Sequence, residues 1–300
     1  MDATISQTIE RFSGINNSDE LTRLSLVAID NVYVYPLSQA SNVEIDNTYG
    51  IKSRSGYDEI VAGTDIHSLW ADVQICLFVD NASLKTLDEI YNTVTVRTGL
   101  SDRRMSYARN NDRVYYTNEE EIGYVIGVAD YPLPDPDREF KLPLPAGQII
   151  EYFKGCLYVA KDNILYISDP LCDYYDARIG YRIFTNRITM VKAVDDGLFV
   201  SDDHVWFVNG KGNEDFDRNE VYSSPAIPNT ALSVNAKSVN DSFQGTAVIW
   251  TSENGICLGV NGGEISNLTE SKYEFTPTST GAAFIRKNGN VRHYINVLGG

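Results

Sequence analysis

The chain has 300 residues, with 41 acidic against 25 basic side chains, a net charge of −16 and a pI near 4.6. That balance argues against a general nucleic-acid binder, whose affinity rests on clustered Lys and Arg releasing counterions. With 43% hydrophobic and 11% aromatic residues the chain can build a substantial core. Long Leu/Ala/Glu/Lys stretches are missing, so the core is expected to be all-β. There is no apolar run of about 18 residues and no basic-then-apolar start, so neither membrane insertion nor export behind a cleaved leader is expected.

Residues 1–60 form an N-terminal segment distinct from the rest of the chain. It has a polar start, an apolar stretch at 24–35, and two strand-like runs at 42–46 and 51–57 that read as a hairpin around Asn47-Thr48-Tyr49-Gly50. Such a hairpin is expected to join the last blade of a ring and cover an exposed edge.

From residue 61 to 300 one unit recurs. Its signature is a short apolar run: Cys76-Leu77-Phe78-Val79, Arg113-Val114-Tyr115-Tyr116, Cys156-Leu157-Tyr158-Val159, Gly197-Leu198-Phe199-Val200, Cys257-Leu258-Gly259-Val260 and Val291-Arg292-His293-Tyr294. A period of roughly 40 residues is the mark of a radial or stacked β-array. Another apolar segment precedes most copies, across turn formers such as Asn110-Asn111-Asp112, Lys154-Gly155 and Glu253-Asn254-Gly255, which tolerate the positive φ of tight hairpins. A third strand follows, clearest at 163–167 and 204–208. Strand, turn, strand, turn, strand and a polar connection make most of a propeller blade. The expectation is a single β-propeller of six blades, with five or seven possible.

Two irregular stretches interrupt the ladder. Residues 131–137 carry three prolines, which lack the donor a central strand needs. Residues 210–240 read as an insertion. Both are candidate contact loops, with Tyr131, Phe216, Arg218 and Tyr222 as the anchors, aromatic and Arg side chains being enriched at interface hot spots.

Chemistry-bearing motifs are sparse. Cys76, Cys156 and Cys257 take the same place in the repeat and are expected to be buried, unpaired and unreactive. No Cys pair has metal-ligand spacing and His67, His204 and His293 are scattered, so no metal or cofactor is expected. Asp215, Asp217 and Asn219 have the oxygen spacing that opens a calcium loop. Glu220 stands where an EF-hand needs Gly and Ala226 where it needs Glu, which leaves only an irregular Ca²⁺ site open. Ser201-Asp202-Asp203-His204-Val205-Trp206 is close to the Asp-box of sialidase propellers but lacks its Gly. No phosphate loop or Gly-x-Ser-x-Gly elbow is present. A protein without catalysis is therefore expected.

Residues 12–17 (Phe-Ser-Gly-Ile-Asn-Asn), the run Asn42-Val43-Glu44-Ile45-Asp46, then Arg54-Ser55-Gly56-Tyr57, and His67-Ser68-Leu69-Trp70 before the first ladder copy resemble the start of bacteriophage virion propellers. That group is similar to the tail hub, nozzle and packaged-DNA-stabilisation proteins. The resemblance is strongest over residues 12–80. It implies a structural component of the virion, assembled in the bacterial host cytoplasm, that forms a ring with itself and with other tail or connector proteins. DNA would be passing cargo, kept from sticking by acidic charge. One alternative is a carbohydrate-binding or glycan-cleaving propeller, which needs Trp and carboxylates gathered at a blade mouth. Another is a cellular interaction platform of the WD-repeat or kelch type, whose Trp-Asp blade endings and double-Gly signatures the chain lacks.

Overall fold

The computed structural model describes residues 12–15, 27–29, 32–37, 43–45, 50–53, 58–210, 212, 216–240, 242–270, 272–273, 275–276, 278–288 and 291–299. Over them the chain is all-β, broken only by short 3₁₀ turns at Ala236–Ser238 and Asn261–Gly263. It forms a single β-propeller.

Blade one pairs Ile66–Ala71, Cys76–Asp80, Ser83–Leu87 and Thr93–Thr98 in that order, inner strand first. Blade two is Ser106–Asn110, Arg113–Thr117, Ile122–Ile126 and Ala129–Tyr131. Blade three is Ile149–Phe153, Cys156–Lys161, Ile164–Ile167 and Tyr181–Ile183. Blade four is Met190–Ala193, Gly197–Ser201, Val205–Asn209 and Asp217–Tyr222. Blade five is Leu232–Asn235, Thr246–Ser252, Gly255–Gly259 and Ile265–Asn267. All pairings within blades are antiparallel. The tight turns expected at 111–112 and 154–155 are present, with Asn111 at φ 57°, Lys154 at 44° and Gly155 at 90°.

Five of the six ladder runs lie on the second strand of their unit, the Cys257 run lying instead on the third strand of blade five, and burial explains why those runs are legible. A second strand has neighbouring blades on both faces, so it is apolar throughout rather than alternating: Gly197–Ser201 is buried at every position. Third strands are only half-covered and alternate, as in Ile122–Ile126. Fourth strands face solvent, and Asp217–Tyr222 is mostly exposed. Consecutive blades are held by apolar clusters. Leu77 and Val79 meet Val114 and Tyr116 between blades one and two, and Tyr115 meets Ile150 and Leu157 between two and three. Cys156 and Tyr158 meet Leu198 and Val200 between three and four, and Phe199 meets Trp250 and Cys257 between four and five.

After blade five comes a two-stranded hairpin, Thr280–Asn288 with Val291–Gly299. Tyr294 packs against the Ile249 and Leu258 cluster of blade five. On the other side, Arg104 Nη1 donates to the Gly281 carbonyl oxygen at 2.7 Å. The six copies thus resolve into five four-stranded blades and one two-stranded sector. The N-terminal hairpin also forms, Val43–Ile45 against Ile51–Ser53. Among the described residues it pairs with neither strand of the C-terminal hairpin, so the expected closure of the ring by it is not seen. Residues 54–57 and 16–17 of the quoted motifs lie outside the described residues.

Two readings are corrected. Residues 210–240 are not an insertion: they hold the outer strand of blade four and the inner strand of blade five. The outer strand is read as a loop because an edge strand in water carries Asp, Arg, Asn and Glu. Cys257 does not share the place of Cys156. Cys156 follows the turn between the first and second strands of blade three, where it pairs with Phe153, whereas Cys257 lies on the third strand of blade five, opposite Trp250 of the second. Cys156 and Cys257 are buried as expected, but Cys76, beside the 72–75 turn, is only half-buried; none of them is in a disulfide.

Candidate functional site at the central channel

The inner strands converge on a cavity of about 380 Å³ lined by Trp70, Tyr107, Ile149, Lys192, Leu232 and Phe284 among others, with every blade and the C-terminal hairpin contributing. Its size suits a small ligand. Trp70 and Tyr107 stack across the first blade boundary, centroids 5.8 Å apart at 27°. Burial pushes the Tyr107 hydroxyl well above the usual tyrosine range. The charged residues of the lining are Arg104 and Lys192, both cationic. Lys192 Nζ is paired with Glu151 Oε2 at 2.9 Å. The propeller's own channel is therefore not the acid-lined DNA path that the net charge suggested.

Beside the channel the inner strand of blade one is distorted. Its register breaks between His67 and Trp70, and Ser68 takes a φ of 56°, which a residue with a Cβ rarely adopts. Ser68 Oγ accepts from the Met105 backbone N–H at 2.8 Å and lies 2.7 Å from His67 Nδ1. His67 Nε2 lies 3.9 Å from Asp102 Oδ1. Asp65 completes the group: one ligand atom each from Asp65, His67 and Asp102 lie within 4.8 Å of one another. Along the sequence His67 stands isolated. Asp102 stands in the connection from blade one to blade two, and only the folded blade brings its carboxylate to the inner strand.

The four anchor residues fall out differently. Tyr131 is 41% exposed on the outer strand of blade two, stacked on Tyr124 at 5.3 Å. Phe216 packs against the cluster between blades three and four, with the Arg182 guanidinium over its ring at 5.0 Å. Arg218 covers the rings of Phe184 and Trp206, each at 5.1 Å. Tyr222 packs against the Trp250 and Cys257 cluster, which raises its pKa by burial. All four thus touch other residues of the chain, and Tyr131 and Arg218 are also exposed on outer strands. Asp217 and Asn219 are exposed on the outer strand of blade four, and Asp215 lies outside the described residues.

The Asp-box-like run is a turn. Asp202 Oδ1 accepts from Trp206 Nε1 at 2.7 Å, and Asp202 Oδ2 accepts from the Thr185 N–H at 3.1 Å. Of the three Trp residues only Trp70 reaches the channel; Trp250 is fully buried in the core and Trp206 lies under Arg218.

No protein-family model and no curated protein matches the chain. Solved structures do. BBS1N in complex with ARL6DN matches at 11% identity over 85% of this chain and 83% of that one, with a TM-score of 0.51. A gluconolactonase from Xanthomonas campestris matches at 9% identity over 75% and 82%, TM-score 0.46. A virginiamycin B lyase from Staphylococcus aureus matches at 11% identity over 77% and 83%, TM-score 0.45. At these identities the likeness concerns the fold alone. It nevertheless overturns the expectation of a protein without catalysis. That expectation treated a propeller scaffold with few motifs as non-enzymatic, and propellers of this kind include a gluconolactonase and a lyase.

Proposed function

We propose that the chain is a structural component of a tailed-phage virion, in the tail, hub or head–tail connector region. There, copies assemble with other virion proteins in a ring around the DNA path. The observation that carries this reading is the unfinished sixth sector. Among the described residues the strands Thr280–Asn288 and Val291–Gly299 pair only with each other. Phe284, Ile285 and Val297 stand 47%, 37% and 63% exposed on them. Nine-residue strands that among the described residues have no further strand beside them, and that carry exposed apolar side chains, offer a surface a neighbouring subunit can cover by strand pairing. The resemblance of residues 12–80 to phage virion propellers supports a virion as the assembly. The propeller's cavity has room only for a small molecule, so DNA would run through the lumen of the assembled ring. Protein mass spectrometry of purified virions, with a particle map, tests the reading. The expected result is several copies of the chain per particle, seen as discs around the tail or connector axis. Absence from purified particles refutes it.

A further inference from the structure

We propose that Asp65, His67 and Asp102 form a binding site for one divalent transition-metal ion of the zinc class at the rim of the channel. One imidazole nitrogen and two carboxylates is a donor set for such ions rather than for Mg²⁺ or Ca²⁺, which take oxygen ligands almost alone. The imidazole is oriented for ligation. Nδ1 lies 2.7 Å from Ser68 Oγ, itself fixed by the Met105 N–H at 2.8 Å, so Nε2 is the nitrogen left facing Asp102. A hydrogen bond on the far nitrogen is what fixes the ring and tautomer of a metal-binding histidine.

The spacing also fits. Bonds of about 2.0–2.1 Å in a tetrahedral site put ligand atoms roughly 3.3 Å apart. The His67 to Asp102 separation is 3.9 Å, and the three ligand atoms span at most 4.8 Å. Asp65 and Asp102 are exposed, so side-chain rotation alone closes that gap. Two carboxylates of one charge are gathered beside one imidazole, and an ion between them relieves their repulsion. Three protein ligands leave a fourth position for water or an oxygen-bearing ligand, the arrangement found in sites that bind or activate a small molecule.

The test is calorimetric titration of Zn²⁺ into the full chain after chelator treatment, with Mg²⁺ and Ca²⁺ as comparison ions. One Zn²⁺ per chain at micromolar concentration or below is expected, with a rise in melting temperature. Asp65→Asn and Asp102→Asn, on exposed side chains, should each weaken binding at least roughly tenfold while leaving the metal-free melting temperature unchanged. Ser68→Ala, which frees the far nitrogen, should also weaken it, by roughly ten- to a hundredfold. No stoichiometric Zn²⁺ binding, equal affinity in the two asparagine variants, or tighter binding of Ca²⁺ or Mg²⁺ than of Zn²⁺ overturns the proposal.

Discussion

Phe199 of blade four lies over Gly259 of blade five: a Cβ at Gly259 would fall 2.6 Å from Phe199 Cζ and 3.0 Å from Trp250 Cζ3. The glycine is therefore the hole into which the neighbouring blade's ring fits. Gly259→Ala is expected to destabilise the protein by about 1–3 kcal/mol through overpacking. Phe199→Leu in that background should recover part of the loss, because the smaller side chain vacates the contested space. A double-mutant cycle from denaturant unfolding measures the coupling, and additive effects would show that the two residues do not share it.

The C-terminal hairpin hangs on Tyr294. Its hydroxyl donates to the Thr230 carbonyl oxygen at 2.8 Å and sits 3.0 Å from Thr251 Oγ1. Tyr294→Phe keeps the ring in its apolar cluster and removes only these contacts. It should cost about 1–3 kcal/mol and raise amide exchange over residues 280–299 before it affects blades two to four. Hydrogen-exchange mass spectrometry reads the difference.

Alkali should act through buried tyrosines. Burial pushes Tyr158 and Tyr294 up to about 12, against about 10 in an unfolded chain, and raises Tyr115 and Tyr116 further. The unfolded chain gives up these protons first, so the stabilisation is complete below pH 10. It is lost as pH rises from about 10 through about 12. Tyrosinate absorbance and circular dichroism should change together over that window. A tyrosinate titration finished before any loss of structure would contradict the burial.

Native thiol labelling should divide the cysteines by environment. Cys156 and Cys257 are buried, and burial raises the Cys257 thiol pKa. Both should react only on denaturation. Cys172 is half-buried and should react first. Cys76, also half-buried but with its thiol pushed up by burial, should follow slowly. Reaction of all four thiols at one rate in the folded protein would contradict this order.

The parts legible in the sequence were those buried on both faces. Cys156–Lys161 and Gly197–Ser201 carry an unbroken apolar signal because a blade stands on either side. Turns that demand positive φ, at Asn111 and Lys154–Gly155, were legible for a local reason. Asp217–Tyr222 was lost because an outer strand has no apolar requirement. The anchors were chosen on chemistry alone, and the sequence does not show that Phe216 and Arg218 also make contacts within the chain. The Asp65, His67 and Asp102 group was invisible because two of its members share a strand end and the third arrives from the next connection. Nothing local in the sequence couples them.

Successive blades share apolar clusters from blade one through to the Tyr294 hairpin. Among the described residues, none joins that hairpin to blade one, and on that side Arg104, in the connection into blade two, donates to the Gly281 carbonyl oxygen. A ring built this way has one soft joint. Thermal breathing and the first step of unfolding are expected there, since among the described residues no apolar cluster spans that joint. The disc can widen or narrow at that joint while its blades stay rigid, as a split washer does when it is pressed into a seat.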